Sequence, residues 1–120
     1  MARHLEIGEK GEGLAAEFLL EKGWKILERN WRSGHREIDI IAETAGKLVI
    51  VEVKVRKFIG TERLEEHIPR TKQRFLIRAA EAYLAYRGLD AAVRFDVILL
   101  TGEGDQYRIE HIENAFGPWD

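Results

Sequence analysis

The sequence predicts an α/β domain in which a mixed central sheet is flanked by helices, in the order α-β-β-β-α-β-β. Three observations carry that expectation. Two long segments repeat apolar residues at helical spacing, and five shorter ones show strand-like patterns. Helices and strands are interleaved along the chain, as layered α/β domains require. One segment, 47–55, begins apolar on both faces, which marks a strand covered on both sides. A chain of 120 residues builds one core and not two, so a single domain over 1–120 is expected, with its core at about 8–112.

Residues 5–22 read as the first helix, since Leu14, Ala15, Phe18 and Leu19 recur at helical spacing and Gly23 closes the segment. Its polar side is rich in glutamate (Glu9, Glu12, Glu17, Glu21). A first strand at 24–31 places Trp24, Ile26 and Glu28 on one side and Lys25, Leu27 and Arg29 on the other. Ser33-Gly34 turns the chain into a second strand at about 36–43, and Ala45-Gly46 turns it again into a third at 47–55.

Gly60 and Pro69 bracket a charged loop, with Pro69 at or just before the first turn of the second helix. That helix carries Phe75, Leu76, Ala79, Ala80, Tyr83 and Leu84, runs to about Arg87 and is stopped by Gly88. A fourth strand at 93–100, a glycine-containing turn at 101–105 and a short fifth strand at 106–112 complete the order.

Composition narrows the chemistry. Apolar residues make up 45% and charged residues 33%, the balance of a globular domain. The absence of cysteine excludes disulfides, zinc ribbons and thiol nucleophiles. The formal net charge of −2 hides a pattern. Residues 1–46 carry 7 basic and 9 acidic side chains, residues 47–88 carry 10 and 5, and residues 89–120 carry 2 and 7. The basic excess is confined to the central third, so the near-neutral total does not argue against a nucleic-acid partner. Apolar stretches such as Leu48-Val49-Ile50-Val51 fall far short of the ~20 residues of a spanning helix. The charged N-terminus lacks the apolar core of a signal peptide, and a cytoplasmic location without membrane contact is expected.

The third strand carries the groups that cost most to bury. Alternation gives Val49, Val51, Val53 and Val55 one face, while the other reads Leu48, Ile50, Glu52, Lys54. Taken alone, Glu52 and Lys54 have two readings: an ion pair at a sheet edge, or a working site. The second strand adds weight to the latter. Its alternation puts Ile38 and Ile40 on one face and Glu37, Asp39 and Ile41 on the other. A hairpin around Ala45-Gly46 would bring Asp39 beside Glu52. Neighbouring carboxylates raise one another's pKa unless a cation lies between them. Hard oxygen ligands with open positions suit Mg²⁺ or Mn²⁺.

Other residues are less distinctive. Glu12 lies between Gly11 and Gly13, which leave room for close approach, but read alone it is one more solvated glutamate. Asp96 shares a face with Arg94, and a structural ion pair is expected there. Lys72 and Gln73 open the second helix, either as phosphate contacts or as a solvated first turn. His4, His35, His67 and His111 show no metal-ligand spacing and are taken as surface residues. No strand precedes Gly8, Gly11 and Gly13, so they form no dinucleotide fingerprint.

Six motifs together resemble one family. Gly8-x-x-Gly11-Glu12-x-x-Ala15, Arg29-Asn30-Trp31-Arg32, Glu37-Ile38-Asp39-Ile40-Ile41, Val51-Glu52-Val53-Lys54-x-Arg56, Lys72-Gln73 and Arg94-Phe95-Asp96-Val97 fall in the order of the YraN-like family. These are small bacterial proteins predicted to be nucleases, similar in fold to the restriction-endonuclease-like PD-(D/E)XK superfamily and to archaeal Holliday-junction resolvases. The resemblance implies a restriction-endonuclease-like domain. It makes Asp39 and Glu52 the metal-binding carboxylates, Lys54 the residue that positions or activates water, and Glu12 a helix glutamate completing the site. One position departs from the family: Arg36 stands where glycine is usual, bringing a cation toward the site or narrowing it.

The leading expectation is therefore a Mg²⁺- or Mn²⁺-dependent endonuclease acting on DNA, with branched or structured DNA favoured over a base sequence. Arg36, Arg56, Lys57, Lys72, Gln73 and Arg74 would contact nucleic acid, with Arg70 and Arg78 adding to the basic surround. The resemblance also allows a homodimer. The alternative is a non-catalytic module that binds nucleic acid or a partner and keeps a vestigial site.

Overall fold

A computed structural model describes residues 2–56, 68–103 and 106–118, with the side chains of 2–9 and 103 left aside. The element order is α1 (Ala2–Glu21), β1 (Lys25–Ser33), β2 (Arg36–Thr44), β3 (Lys47–Arg56), α2 (Arg70–Arg87), β4 (Val93–Glu103) and β5 (Gln106–Phe116). This is the expected α-β-β-β-α-β-β order. β4 and β5 run longer than expected, into 103 and 116, because their ladder continues through polar residues that alternation alone does not mark as strand.

The five strands form one sheet in the order β1-β2-β3-β4-β5. The pairs β1/β2, β2/β3 and β4/β5 are antiparallel, and β3/β4 is parallel. The parallel pair needs a crossover, and α2 lies in it. α1 packs over β1, β3 and β4, and α2 over β1 and β2. Each helix seals its own core. Ala15, Leu19, Ile40, Val49, Val51 and Ile98 lie in the core under α1. Ile38, Ile41, Leu48, Ile50, Tyr83 and Phe95 lie in the core under α2. β3 is the middle strand, and Leu48 to Glu52 are buried on both faces as its apolar run predicts.

Local chemistry sets the boundaries. α2 follows Pro69 at φ −61 and ends where Gly88 adopts φ 63, returning its N–H to Ala85 O and Leu84 O. A left-handed residue at that position favours glycine. The β2–β3 hairpin closes with Thr44 opposite Lys47, and both residues of its turn, Ala45 at φ 50 and Gly46 at φ 75, are left-handed. Gly11 lets α1 rest on β3: a Cβ there would run into Val55 Cγ2.

Two expected facings are corrected. A register shift between Ile26 and Glu28 breaks the alternation of β1. Glu28 therefore leaves the side of Trp24 and Ile26 and accepts hydrogen bonds from Tyr83 and Arg87 on α2. In β2, Ile38 joins the α2-side core while Ile40 joins the α1-side core. The cause is a kink: Asn30 of β1 sits at φ 53 between the pairs Arg29–Ile40 and Trp31–Ile38.

Candidate functional site

The β2/β3 ladder stops at the pair Ile40–Val51. One step further, Asp39 no longer offers its backbone to β3. Its side chain does so instead, and Oδ2 accepts the Val53 N–H at 2.8 Å. The kink at Asn30 lies on the other side of Asp39, so β2 parts from β3 where the two acidic strands meet. That parting makes room for groups from both helices.

On the α2 side, Glu52 is 4% exposed. Lys54 Nζ and Lys72 Nζ each lie 3.8 Å from its Oε2. Lys54 comes from two residues along β3, and Lys72 from the first turn of α2. Asp39 completes the cluster. Burial, then the charge of Glu52, push its pKa up to about 7, although the Val53 N–H and Lys72 oppose the rise. A proton on Asp39 supplies a hydrogen bond to Glu52. When Asp39 is ionised, Glu52 Oε1 is buried with no hydrogen-bond partner among the described residues. Such an acid pair either shares a proton or shares a cation.

Glu12 approaches from α1. Burial and the charge of Asp39 raise its pKa, while a hydrogen bond from Asn30 and the charge of Arg29 oppose this. The glutamate thus belongs to the same electrostatic unit as Asp39. Asn30, which no alternation pattern singles out, is left-handed at φ 53 and lies across from Asp39, between the pairs Arg29–Ile40 and Trp31–Ile38. Among the described residues, no three His, Asp or Glu side chains stand close enough to form a closed metal cage.

The remaining candidates are distributed around this centre. Gln73 donates to Ile68 O at 3.0 Å, just before α2. Arg74 and Arg70 flank a recess of about 90 Å³ on the same turn. Arg56 ends β3 opposite Thr101. Arg36 opens β2 opposite Ser33, at the tip of the β1–β2 hairpin, and its Nε is buried without a hydrogen-bond partner among the described residues. Lys57, Gly60 and His67 lie outside the described residues, and so does the side chain of His4.

A second buried acid lies on the opposite face. Asp96 is 0% exposed and takes both arms of the Arg94 guanidinium at 2.9 Å, as the expected ion pair. It also contacts His111 Nε2 at 2.8 Å and accepts the Asn114 N–H at 2.9 Å. Burial works against its charge, but His111, Arg94 and Asn114 together outweigh that and hold its pKa below the ordinary carboxylate range. His111 is thereby corrected from a surface residue. Its side chain is 3% exposed, and its ring is packed edge-on by Phe18 and Trp24. With every lone pair engaged, this cluster is structural.

The molecule is thus an α/β sandwich in which half-buried Asp39 meets buried Glu52 where two strands part and two lysines converge on the pair. The chain belongs to the uncharacterised protein family UPF0102, the YraN family, whose model matches residues 11–100. It is 44% identical over 118 residues to a UPF0102 protein of Phocaeicola vulgatus, covering 98% of both chains. It is 45% identical over 118 residues to one of Bacteroides thetaiotaomicron, again with 98% of each covered. Among solved structures it is similar to Pyrococcus furiosus SfsA in complex with Ca²⁺, at a TM-score of 0.39 and 19% identity. That match covers 85% of this chain and 62% of SfsA. No helix among the described residues is long and apolar enough to cross a membrane.

Proposed function

We propose that this protein is a divalent-metal-dependent phosphodiesterase acting on nucleic acid, with DNA as the preferred substrate. One observation carries the reading: half-buried Asp39 and buried Glu52 form an acid pair, with two lysine ammonium groups 3.8 Å from Glu52. Asp39 and Glu52 are the residues that would hold Mg²⁺ or Mn²⁺. The fit rests on their hard oxygens and on Glu52 Oε1, which, when Asp39 is ionised, is buried without a hydrogen-bond partner among the described residues. Bound there, such a cation polarises a phosphodiester and lowers the pKa of a water molecule.

The chain's own residues supply the rest. Lys54 orients the attacking water or balances the charge that develops on the phosphate. Lys72 brings a second cation from α2 toward the same phosphate. Arg56, Arg70, Arg74 and Arg78 contact the flanking backbone, which makes binding salt-sensitive. Glu12 adds negative charge on the α1 side and strengthens the demand for a cation. A homodimer, which would present two such sites, is part of this reading through the family resemblance.

A second reading is a binding module that keeps the fold and the basic surface and cuts nothing. Incubation with branched, flapped and linear DNA plus Mg²⁺ or Mn²⁺ separates the two. Metal-dependent cleavage by wild type that Lys54→Ala abolishes supports the enzyme. Binding without cleavage at any metal concentration supports the module, and cleavage that persists in Lys54→Ala sinks the assignment of roles given above.

A further inference from the structure

On the α2 face, the strand register carries one row of side chains away from the acid pair. Glu52 on β3 lies beside Val97 on β4, and Val97 beside Ile112 on β5. The next row runs Lys54, Leu99, Glu110. Strands stand roughly 4.8 Å apart, so β5 is only about 10 Å from the strand of Glu52. α2 packs on β1 and β2, at the other end of this face. Beside Val97 and Ile112 there is a cavity of about 280 Å³. Its apolar walls are Ile68, Val97, Ile112 and Phe116, and its polar groups are Gln73 and Glu110. The recess that holds Arg70 and Arg74 adjoins it through Gln73.

We infer that this cavity receives one unpaired nucleobase next to the phosphodiester to be cut, with a neighbouring backbone phosphate at the Arg70–Arg74 recess. The inference names the substrate class of the phosphodiesterase reading and rests on it. Four features support a base as the occupant. The volume lies at the lower end of small-ligand sites, suited to a single planar ring system. Phe116, stacked on Phe95 with centroids 5.2 Å apart, lines the cavity and gives it an aromatic wall.

Gln73 uses its amide N–H on Ile68 O, which leaves the side-chain carbonyl as an acceptor. Glu110 is a second acceptor at the mouth. Two acceptors fit bases that carry an exocyclic amino group. The cationic recess supplies the remaining feature, a counter-charge next to the cavity across the shared Gln73. A base within a duplex is stacked and has its edge already paired, so entry requires a base that is unpaired or flipped. Flaps, gaps and branch points provide such bases without the cost of unpairing.

The test compares a flapped duplex with a fully paired duplex of equal length, using Ca²⁺ in place of Mg²⁺ in the binding arm. The unpaired base at the flap is a fluorescent adenine analogue. Ala115 lies exposed on the cavity rim, so Ala115→Trp fills the cavity without disturbing the core. Wild type is expected to bind the flapped DNA about tenfold more tightly than the duplex, with a fall in analogue emission. In Ala115→Trp the preference should shrink to within about twofold, while the Mn²⁺-dependent rise in Tm confirms that the variant is folded and keeps its acid pair.

Equal affinity of wild type for both DNAs, or a preference that survives Ala115→Trp, overturns the cavity assignment. If wild type still cleaves DNA in a metal-dependent manner, that failure belongs to the cavity alone. If wild type neither cleaves DNA nor responds to Mn²⁺, the phosphodiesterase reading falls and the cavity assignment falls with it.

Discussion

Asp39 accepts the Val53 N–H through its side chain at 2.8 Å, in the place where a backbone carbonyl would continue the β2/β3 ladder. The acid is thus built into the sheet and not merely attached to it. Its geometry is fixed by a hydrogen bond that favours the ionised form, while its burial and the charge of Glu52 favour the proton. The second influence wins, and the pKa rises to about 7.

Asp39→Asn removes the titration and keeps an oxygen able to accept the Val53 N–H. In wild type the folded protein holds the Asp39 proton until about pH 7, whereas an unfolded aspartate loses it near pH ~4. The folded state binds more protons between those values, so this stabilisation is full below about pH 4 and is lost as pH rises through about 7. Denaturant unfolding at pH 8 should find the apo variant as stable as wild type or more so, by about 1–2 kcal/mol. At pH 4 the advantage should disappear. Mn²⁺ should raise the Tm of wild type, by up to about 2.7 kcal/mol of stability at a hundredfold excess over Kd, and leave the variant unmoved. A variant that is strongly destabilised at pH 8 would mean that Asp39 is a structural ion-pair partner.

Lys72 opposes the rise in the Asp39 pKa from its position on α2. Removing its charge in Lys72→Met should let that pKa climb further. Because a metal must displace the proton, the pH midpoint of the Mn²⁺-dependent thermal shift should move up by roughly 0.5. An unchanged midpoint would detach Lys72 from the acid pair.

Asp96 makes the opposite prediction. Its pKa is held low, so its contribution is present above about pH 4 and is lost as pH falls through the depressed value. Asp96→Asn leaves Arg94 without its buried counter-charge and should cost about 3–5 kcal/mol at pH 7. Asp96 lies on the α1 face, away from Glu52, so the Mn²⁺ increment measured on whatever fraction folds should persist. Loss of that increment in a folded variant would contradict the separation of the two acids.

Two glycines of α1 that stand two positions apart should respond in opposite directions. Gly11→Ala drives a Cβ into Val55 and should destabilise by about 1–3 kcal/mol. Gly13 has nothing within 4 Å of its added Cβ, so Gly13→Ala should stabilise the helix by about 0.5–1 kcal/mol. Equal effects in urea unfolding would mean that α1 does not rest on β3 through Gly11.

Much of this site could be read in the chain because its parts are close in sequence. Periodicity marks the helices and strands, and the turn at Ala45-Gly46 fixes the hairpin. With the hairpin fixed, strand counting alone places Asp39 next to Glu52 and puts Lys54 on the face of Glu52. What the sequence did not disclose depends on packing between distant segments. The kink at Asn30, the arrival of Lys72 at Glu52, and the closure of His111 on Asp96 all follow from how helices and strands come to rest on one another. Lys22 Nζ meets His111 Nδ1 across 89 positions of chain, and no local pattern encodes such a contact. The register of a tight hairpin is set by its turn and is therefore legible, whereas the bulge in β1 is not. Which group answers a buried charge is decided by the cost of leaving that charge alone, and only the assembled core sets that cost.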